Sequence, residues 1–195
     1  MSSEQIAPLM RLTERYCVVY QTPAHPPGFA LEPQLPIHAE QMFEVLSDPA
    51  IYEYENEPPA SVDWLRARFA RLESRQSPDG CEKWLNWVIR LPSSELAGYV
   101  QATVHPGGRA AIAYVLASRY WGRGLATEAV AAMLADLGER HGVSSFSAVF
   151  KRGNGRSLHL LERLGFSRAD EAIREALEVG RDELLMVRPL RGPHR

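Results

Sequence analysis

A chain of 195 residues with 45% hydrophobic and 24% charged side chains is long enough for one compact domain with a sizeable core. Its formal net charge of −2 provides no global field to recruit nucleic acid or anionic lipid, so neither partner is expected. No run of about 18 apolar residues occurs, and Met1 to Tyr16 lacks the apolar stretch of a signal peptide; the reading is a soluble, cytoplasmic protein without a membrane partner.

In chain order, residues 1–27 read as an N-terminal extension in which Arg15–Tyr20 has the composition of a strand; Pro23, Pro26, Pro27 and Gly28 then interrupt regular structure. A single domain is expected over 28–192. Phe29–Leu35 reads as a short strand, and His38–Leu46 as a helix with Ala39, Met42, Phe43 and Leu46 on one face, stopped by Asp48-Pro49. An aromatic and acidic loop follows over 51–59, carrying Tyr52, Glu53, Tyr54, Glu55 and Glu57. Ser61 is a natural N-cap for a second helix in which Val62, Leu65, Phe69 and Leu72 recur at helical spacing.

Turn chemistry at Ser77-Pro-Asp-Gly80 leads into two strands, Trp84–Leu91 and Leu96–Val104, joined as a hairpin through Pro92-Ser-Ser-Glu95. His105-Pro-Gly-Gly108 turns the chain into a third strand, Ala110–Leu116. A long helix opens near Gly124, with Leu125, Ala129, Val130, Met133, Leu134 and Leu137 as its apolar stripe, and closes at Gly142. Phe146–Phe150 alternates as a strand, Asn154 opens a helix ending at Leu164-Gly165-Phe166, and Glu183–Pro189 is the last strand. Consecutive strands that can pair antiparallel before the long helix predict an α/β (α+β) fold with a mixed, mostly antiparallel sheet, not a repeating βαβ array.

The stretch richest in chemistry is Tyr114-Val-Leu-Ala-Ser-Arg-Tyr-Trp-Gly-Arg-Gly-Leu-Ala-Thr-Glu-Ala129, a strand that runs through a two-glycine loop into an amphipathic helix. Bare glycines let the backbone approach a ligand closely, and the free N–H groups of a helix start carry partial positive charge. That combination suits a phosphate or pyrophosphate, with Arg123 as an added cation; the same glycines also serve a plain strand-to-helix bend. No Gly-Lys-Ser/Thr follows, which excludes an NTPase loop, and the spacing Gly122-x-Gly124-x-Ala126 lacks the final glycine of a dinucleotide fingerprint.

The segment Tyr120-Trp-Gly-Arg-Gly-Leu-Ala-Thr-Glu-Ala129 resembles the acyl-CoA-binding loop of the GNAT N-acetyltransferase superfamily, most closely the branch containing enzymes that acetylate ribosomal-protein N-termini. The likeness continues at Asn154-x-x-Ser157, Leu161-Glu-Arg-Leu-Gly-Phe166, Leu46-Ser-Asp-Pro49 and Glu95-Leu-Ala-Gly-Tyr99, and covers about Phe29 to Pro189. It implies a single GNAT-like domain whose sheet splits between two strands to admit acetyl-CoA. The backbone of Gly122, Arg123, Gly124, Leu125, Ala126 and Thr127 would hold the pyrophosphate, and Tyr114, Val115 and Leu116 would pair with the pantetheine arm. Asn154 would meet the cofactor through its amide, or serve as a helix cap, or both.

Departures from the family pattern bear on the chemistry. Trp121 stands where many members have Gln or Arg. Leu161 occupies the position of a tyrosine acid, so Ser157, one turn earlier, is the candidate for protonating the leaving thiolate; the alternative is an ordinary backbone-bonded serine. Ala111 replaces a glutamate of many relatives, which leaves water or the acidic loop, through Glu55 or Glu57, as the route for the amine's proton. The loop's acidity suggests attraction for a cationic amine, or simply a solvated surface. Tyr52, Tyr54, Trp84 and Trp87 either line an acceptor pocket or belong to the core.

Six scattered histidines (His25, His38, His105, His141, His159, His194) have no converging spacing, so no metal is expected. Cys17 and Cys81 are read as free thiols, a disulfide remaining open. The expected activity is transfer of an acetyl group from acetyl-CoA to a primary amine, on a small molecule or a protein N-terminus. The rivals are a non-catalytic CoA-binding or regulatory module and a phosphate-binding interaction domain. A homodimer is left open.

Overall fold

The computed structural model describes residues 28–54 and 57–189. The expected extension at 1–27, with its strand at Arg15–Tyr20, lies outside the described residues, as does Glu55. The expected α/β architecture is present: a seven-stranded sheet flanked by helices, in the order β1-β2-β3-β4-β5-β7-β6. The strands are β1 (Ala30–Pro33), β2 (Lys83–Arg90), β3 (Leu96–His105), β4 (Arg109–Leu116), β5 (Ser145–Lys151), β6 (Ser167–Arg168) and β7 (Glu183–Pro189). All neighbours pair antiparallel except β4 and β5, which are parallel.

Local sequence explains the elements. The β2–β3 hairpin closes through Leu91 N–H donating to the Glu95 carbonyl at 2.9 Å, with Ser94 in the left-handed region. Helix α1 (Ala39–Leu46) and helix α2 (Val62–Leu72) follow, α2 capped as expected by the Ser61 hydroxyl accepting from Trp64 N–H at 3.1 Å. Helix α3 (Leu125–His141) ends where Gly142 turns to φ 65° and Val143 N–H reaches back to the Leu137 carbonyl at 3.1 Å. Helix α4 (Gly155–Arg163) ends the same way at Gly165, with Phe166 N–H on the Leu161 carbonyl.

Helices cover both faces of the sheet. On one face Ala129, Val130, Met133, Leu134 and Leu137 of α3 and Leu160 and Leu161 of α4 bury against Val100, Ala102, Ile112, Phe146 and Ala148. On the other, Met42 and Val45 of α1 and Leu65 and Phe69 of α2 bury against Val88 and Leu96. The Val, Leu, Ile, Phe and Met side chains among these each contribute roughly 1.5–3 kcal/mol on leaving water. Trp87 is 1% exposed, so of the two readings of this tryptophan the core is the one realised. Beyond α1 and α2 the second face is open: Ala111 and Ala113 of β4 and Val149 of β5 are exposed on it.

The feature that matters for function is a fork. β4 and β5 are in register only over Arg109–Ala111 against Ser145–Ser147. Beyond that point β4 remains on β3 as far as Leu116, and β5 remains on β7 as far as Lys151, so each arm keeps one partner while the two separate. Four elements were not legible beforehand. The loop after α1 begins as a 3-10 turn, Pro49–Tyr52, the chain after β4 makes another at Ser118–Tyr120, and β6 with helix α5 (Glu171–Ala176) precedes β7.

Candidate functional site

The open end of the fork is a cleft of about 400 Å³. Its walls are the end of β4 (Tyr114, Val115, Leu116), the loop and first turn of α3 (Trp121, Gly122, Gly124, Leu125, Ala126, Thr127), and the start of α4 (Asn154, Arg156, Ser157). Ala50, Ile51 and Tyr54 of the segment after α1 close a further side. Residues far apart in sequence thus meet where the sheet splits.

Each wall has a local cause. Gly122 (φ 74°) and Gly124 (φ 83°) are left-handed, a conformation that side-chain-bearing residues adopt only with strain. A Cβ at Gly122 would meet nothing within 4 Å, and one at Gly124 only Glu128 Oε1 at 4.0 Å, so the backbone there is bare toward solvent. Immediately after it α3 begins, with its unpaired N–H groups and positive dipole end. The Trp121 indole N–H donates to the Leu116 carbonyl at 2.8 Å, which fixes the ring across the end of β4. Asn154 caps α4, its Oδ1 accepting from Ser157 N–H at 3.0 Å, while the residue also lines the cleft. Asp48 ties the neighbouring segment to the site: its carboxylate accepts from Ala50 N–H and, 70 residues away, from Ser118 N–H at 2.9 Å. The Ser118 hydrogen bonds hold that carboxyl below its ordinary range.

Two hydroxyls face one another at the fork. The Tyr114 O–H donates weakly to the Ser157 carbonyl at 3.5 Å. Burial pushes the Tyr114 phenol up to about 12, and the Ser157 hydroxyl beside it acts in the opposite direction. Leu161, by contrast, is fully buried in the core and offers the cleft nothing. No Asp or Glu lines the cleft among the described residues.

Of the expected site residues, ten of the eleven line this one cleft; Arg123 does not. It sits between two left-handed glycines and is exposed. Arg156 supplies a cation instead. Its guanidinium lies over the Trp121 ring, 4.1 Å from the centroid, and is 5.8 Å from that of Tyr54. It also donates to Glu53 Oε2 at 2.6 Å, which draws the Glu53 carboxyl below its ordinary range. Sequence reasoning passed over Arg156, although it lies inside the Asn154-x-x-Ser157 segment; its partners are 35 and more residues distant and carry no spacing signal. Tyr54 reaches the cleft, whereas Tyr52 donates to the Leu46 carbonyl at 2.6 Å and Trp84 donates to Glu82 at 3.1 Å. His159 also lines the cleft, with a mostly exposed ring.

Among the described residues no group of three or more His, Cys, Asp or Glu is arranged to hold a metal, and no helix is long and apolar enough to cross a membrane.

Residues 30–167 match the family model described as an acetyltransferase (GNAT) domain. Solved structures share the fold. A ribosomal L7/L12 alpha-N-protein acetyltransferase, RimL, in complex with coenzyme A superposes with a TM-score of 0.69 at 16% identity, over 84% of this chain and 94% of that one. The ribosomal-protein-S5-alanine acetyltransferase from Vibrio fischeri gives 0.69 at 14% identity, over 89% and 97%. Mycobacterium smegmatis RimJ in complex with CoA-disulfide gives 0.68 at 23% identity, over 83% and 81%. At these identities the likeness is one of fold.

Proposed function

The chain belongs to the GNAT acetyltransferase family, and we propose that it transfers an acetyl group from acetyl-CoA directly to a primary amine, on a small molecule or a protein N-terminus. The observation that carries this reading is the meeting of the glycine loop, the fork and the start of α4 in one cleft.

The residues present fit such a co-substrate. The bare backbone of Gly122 and Gly124 and the first turn of α3, through Leu125, Ala126 and Thr127, suit a pyrophosphate. Tyr114, Val115 and Leu116, left without a β5 partner, suit an extended arm laid along the strand end. Arg156 takes the cationic role first expected of Arg123. Two of the relatives in the same fold were solved with CoA or a CoA disulfide, which supports the same use of the cleft here.

Acetyl-CoA, when bound, supplies the activated thioester carbonyl. The protein's own part is to hold both reactants in line and to manage protons. Ser157, at the fork, is the group assigned to stabilise the departing thiolate, and Tyr114 stays a neutral hydroxyl beside it at any working pH. Ala111 is bare and no carboxylate lines the cleft among the described residues, which favours water as the route for the amine's proton; Glu55 lies outside those residues.

A non-catalytic CoA-binding module is the second reading. The burial of Leu161 and the missing carboxylate at Ala111 favour it. Calorimetric CoA binding combined with acetyl-CoA turnover on an amine panel separates the two. Binding with turnover supports the enzyme, binding without turnover supports the module, and absence of binding contradicts both.

A further inference from the structure

Tyr54 is a wall between two cavities. One is the cleft; the other is a more open cavity of about 550 Å³, lined by Glu53, Tyr54, Lys151, Arg152, Gly153, Arg181 and Asp182. The ring packs on the bare face of Gly153, where a Cβ would stand 3.3 Å from Tyr54 Cε1. Lys151 ends β5, one arm of the fork, and pairs in register with Glu183 of β7. The second cavity therefore lies beside the fork, separated from the cleft by one aromatic ring and the β5–α4 turn.

Its charges are not balanced. Lys151 Nζ is 3.0 Å from Asp182 Oδ2 and 3.1 Å from Glu183 Oε1, and Glu53 is held by Arg156. These pairs account for both carboxylates that line the cavity. Arg152 and Arg181 remain: among the described residues neither has a carboxylate within ion-pair distance. The Arg152 guanidinium reaches only the carbonyls of Arg181 and Glu183, each at a long 3.4 Å, while its charge is felt by Asp182. Arg181 is exposed. Two guanidinium groups on one open cavity are suited to a planar anion, which they bind through charge-assisted, bidentate hydrogen bonds.

We infer that this second cavity receives the acid group of the acceptor while its amine extends past Tyr54 into the cleft, and that Arg152 and Arg181 select an amine that carries an acid group, a carboxylate or phosphate, over a neutral or polycationic amine. The inference rests on the acetyltransferase reading above. Of the acidic segment after α1, Glu53 is already engaged by Arg156.

The test uses the full chain, acetyl-CoA and two arms of acceptors. The first arm is a set of short peptides with a free N-terminus that differ only in Asp, Asn or Lys at the second position. The second is an amino carboxylic acid and its amide. In either arm the acidic member should be favoured roughly tenfold in kcat/KM, chiefly through KM, and the preference should shrink as salt rises. Arg181→Gln should reduce the preference to about threefold or less, Arg181→Lys should retain most of it, and Arg181→Glu should shift it toward the Lys peptide. CoA affinity should be unchanged in all three, which also reports that they are folded. Equal use of acidic and neutral acceptors, or a preference untouched by Arg181→Gln and Arg181→Glu, overturns the inference alone. If no amine is acetylated at all, the acetyltransferase reading fails and the inference with it.

Discussion

A Cβ on Gly98 would stand 2.0 Å from the carbonyl oxygen of Val115 and 2.9 Å from Leu116 Cα. The β3–β4 ladder at the fork thus forms because residue 98 has no side chain, which gives the Leu-Ala-Gly-Tyr99 segment a physical role. Gly98→Ala must push β4 away from β3, and overpacking of this kind costs roughly 1–3 kcal/mol. We expect a lower denaturation midpoint and weaker CoA binding, since the displaced strand end is a wall of the cleft. An unchanged midpoint and affinity would show that β4 yields without cost.

Gly124→Glu probes the phosphate cradle. At φ 83° a side chain costs about 1–2 kcal/mol of backbone strain. A carboxylate at a helix start recovers about 0.3–1 kcal/mol, so the variant should fold. The new negative charge would stand where the cofactor's pyrophosphate is proposed to lie, and CoA binding should be lost in calorimetry. Undiminished CoA affinity in that folded variant would remove the loop from the account.

Ser157 and Tyr114 test the chemistry at the fork. A positioned acid contributes roughly 10²–10⁴-fold, and a thiolate, with a thiol pKa near 8.5, leaves fairly easily without one. Ser157→Ala should therefore lower kcat by about 10²-fold or less, with acetyl-CoA KM nearly unchanged. Tyr114→Phe should cost less, because the Tyr114 O–H is directed at the Ser157 backbone carbonyl. Wild-type kcat in a well-folded Ser157→Ala protein would leave water as the proton donor.

Three phenols should make the fold alkali-sensitive. Burial raises Tyr52 and Tyr114 to about 12 and raises Tyr99 as well, against about 10 in an unfolded chain. A folded pKa above the unfolded one contributes stability that is complete below about pH 10 and is lost as pH rises through the folded value. The denaturant midpoint should be flat in these groups from about pH 8 to 10 and fall beyond. Tyrosinate absorbance should rise in two phases, the second accompanying unfolding. A single phase near the ordinary phenol pKa, with tertiary structure intact, would contradict the burial of these groups.

Much of this was readable from local signals. The Pro92–Glu95 turn, the Ser61 and Asn154 caps, the left-handed Gly142 and Gly165 and the stripe from Ala129 to Leu137 each announce themselves within one or two turns of chain. The pyrophosphate-type loop was equally local, because its glycines and its helix are adjacent. What sequence reading missed is long-range or short-lived. The Arg156–Glu53 pair spans 103 residues and so leaves no periodic trace. The two-residue β6 and the six-residue α5 are too short to show a period. Arg123 stands outside the cleft lining between two left-handed glycines, whose φ values composition does not reveal.

The most direct test of the central claim is mass spectrometry of an amine panel incubated with the purified protein and acetyl-CoA, with free CoA followed in parallel. The account predicts an acetylated amine, one CoA released per acetyl group transferred, and loss of both signals in Gly124→Glu. Tight CoA binding with every amine left unmodified would contradict it and leave a binding module on the same fold.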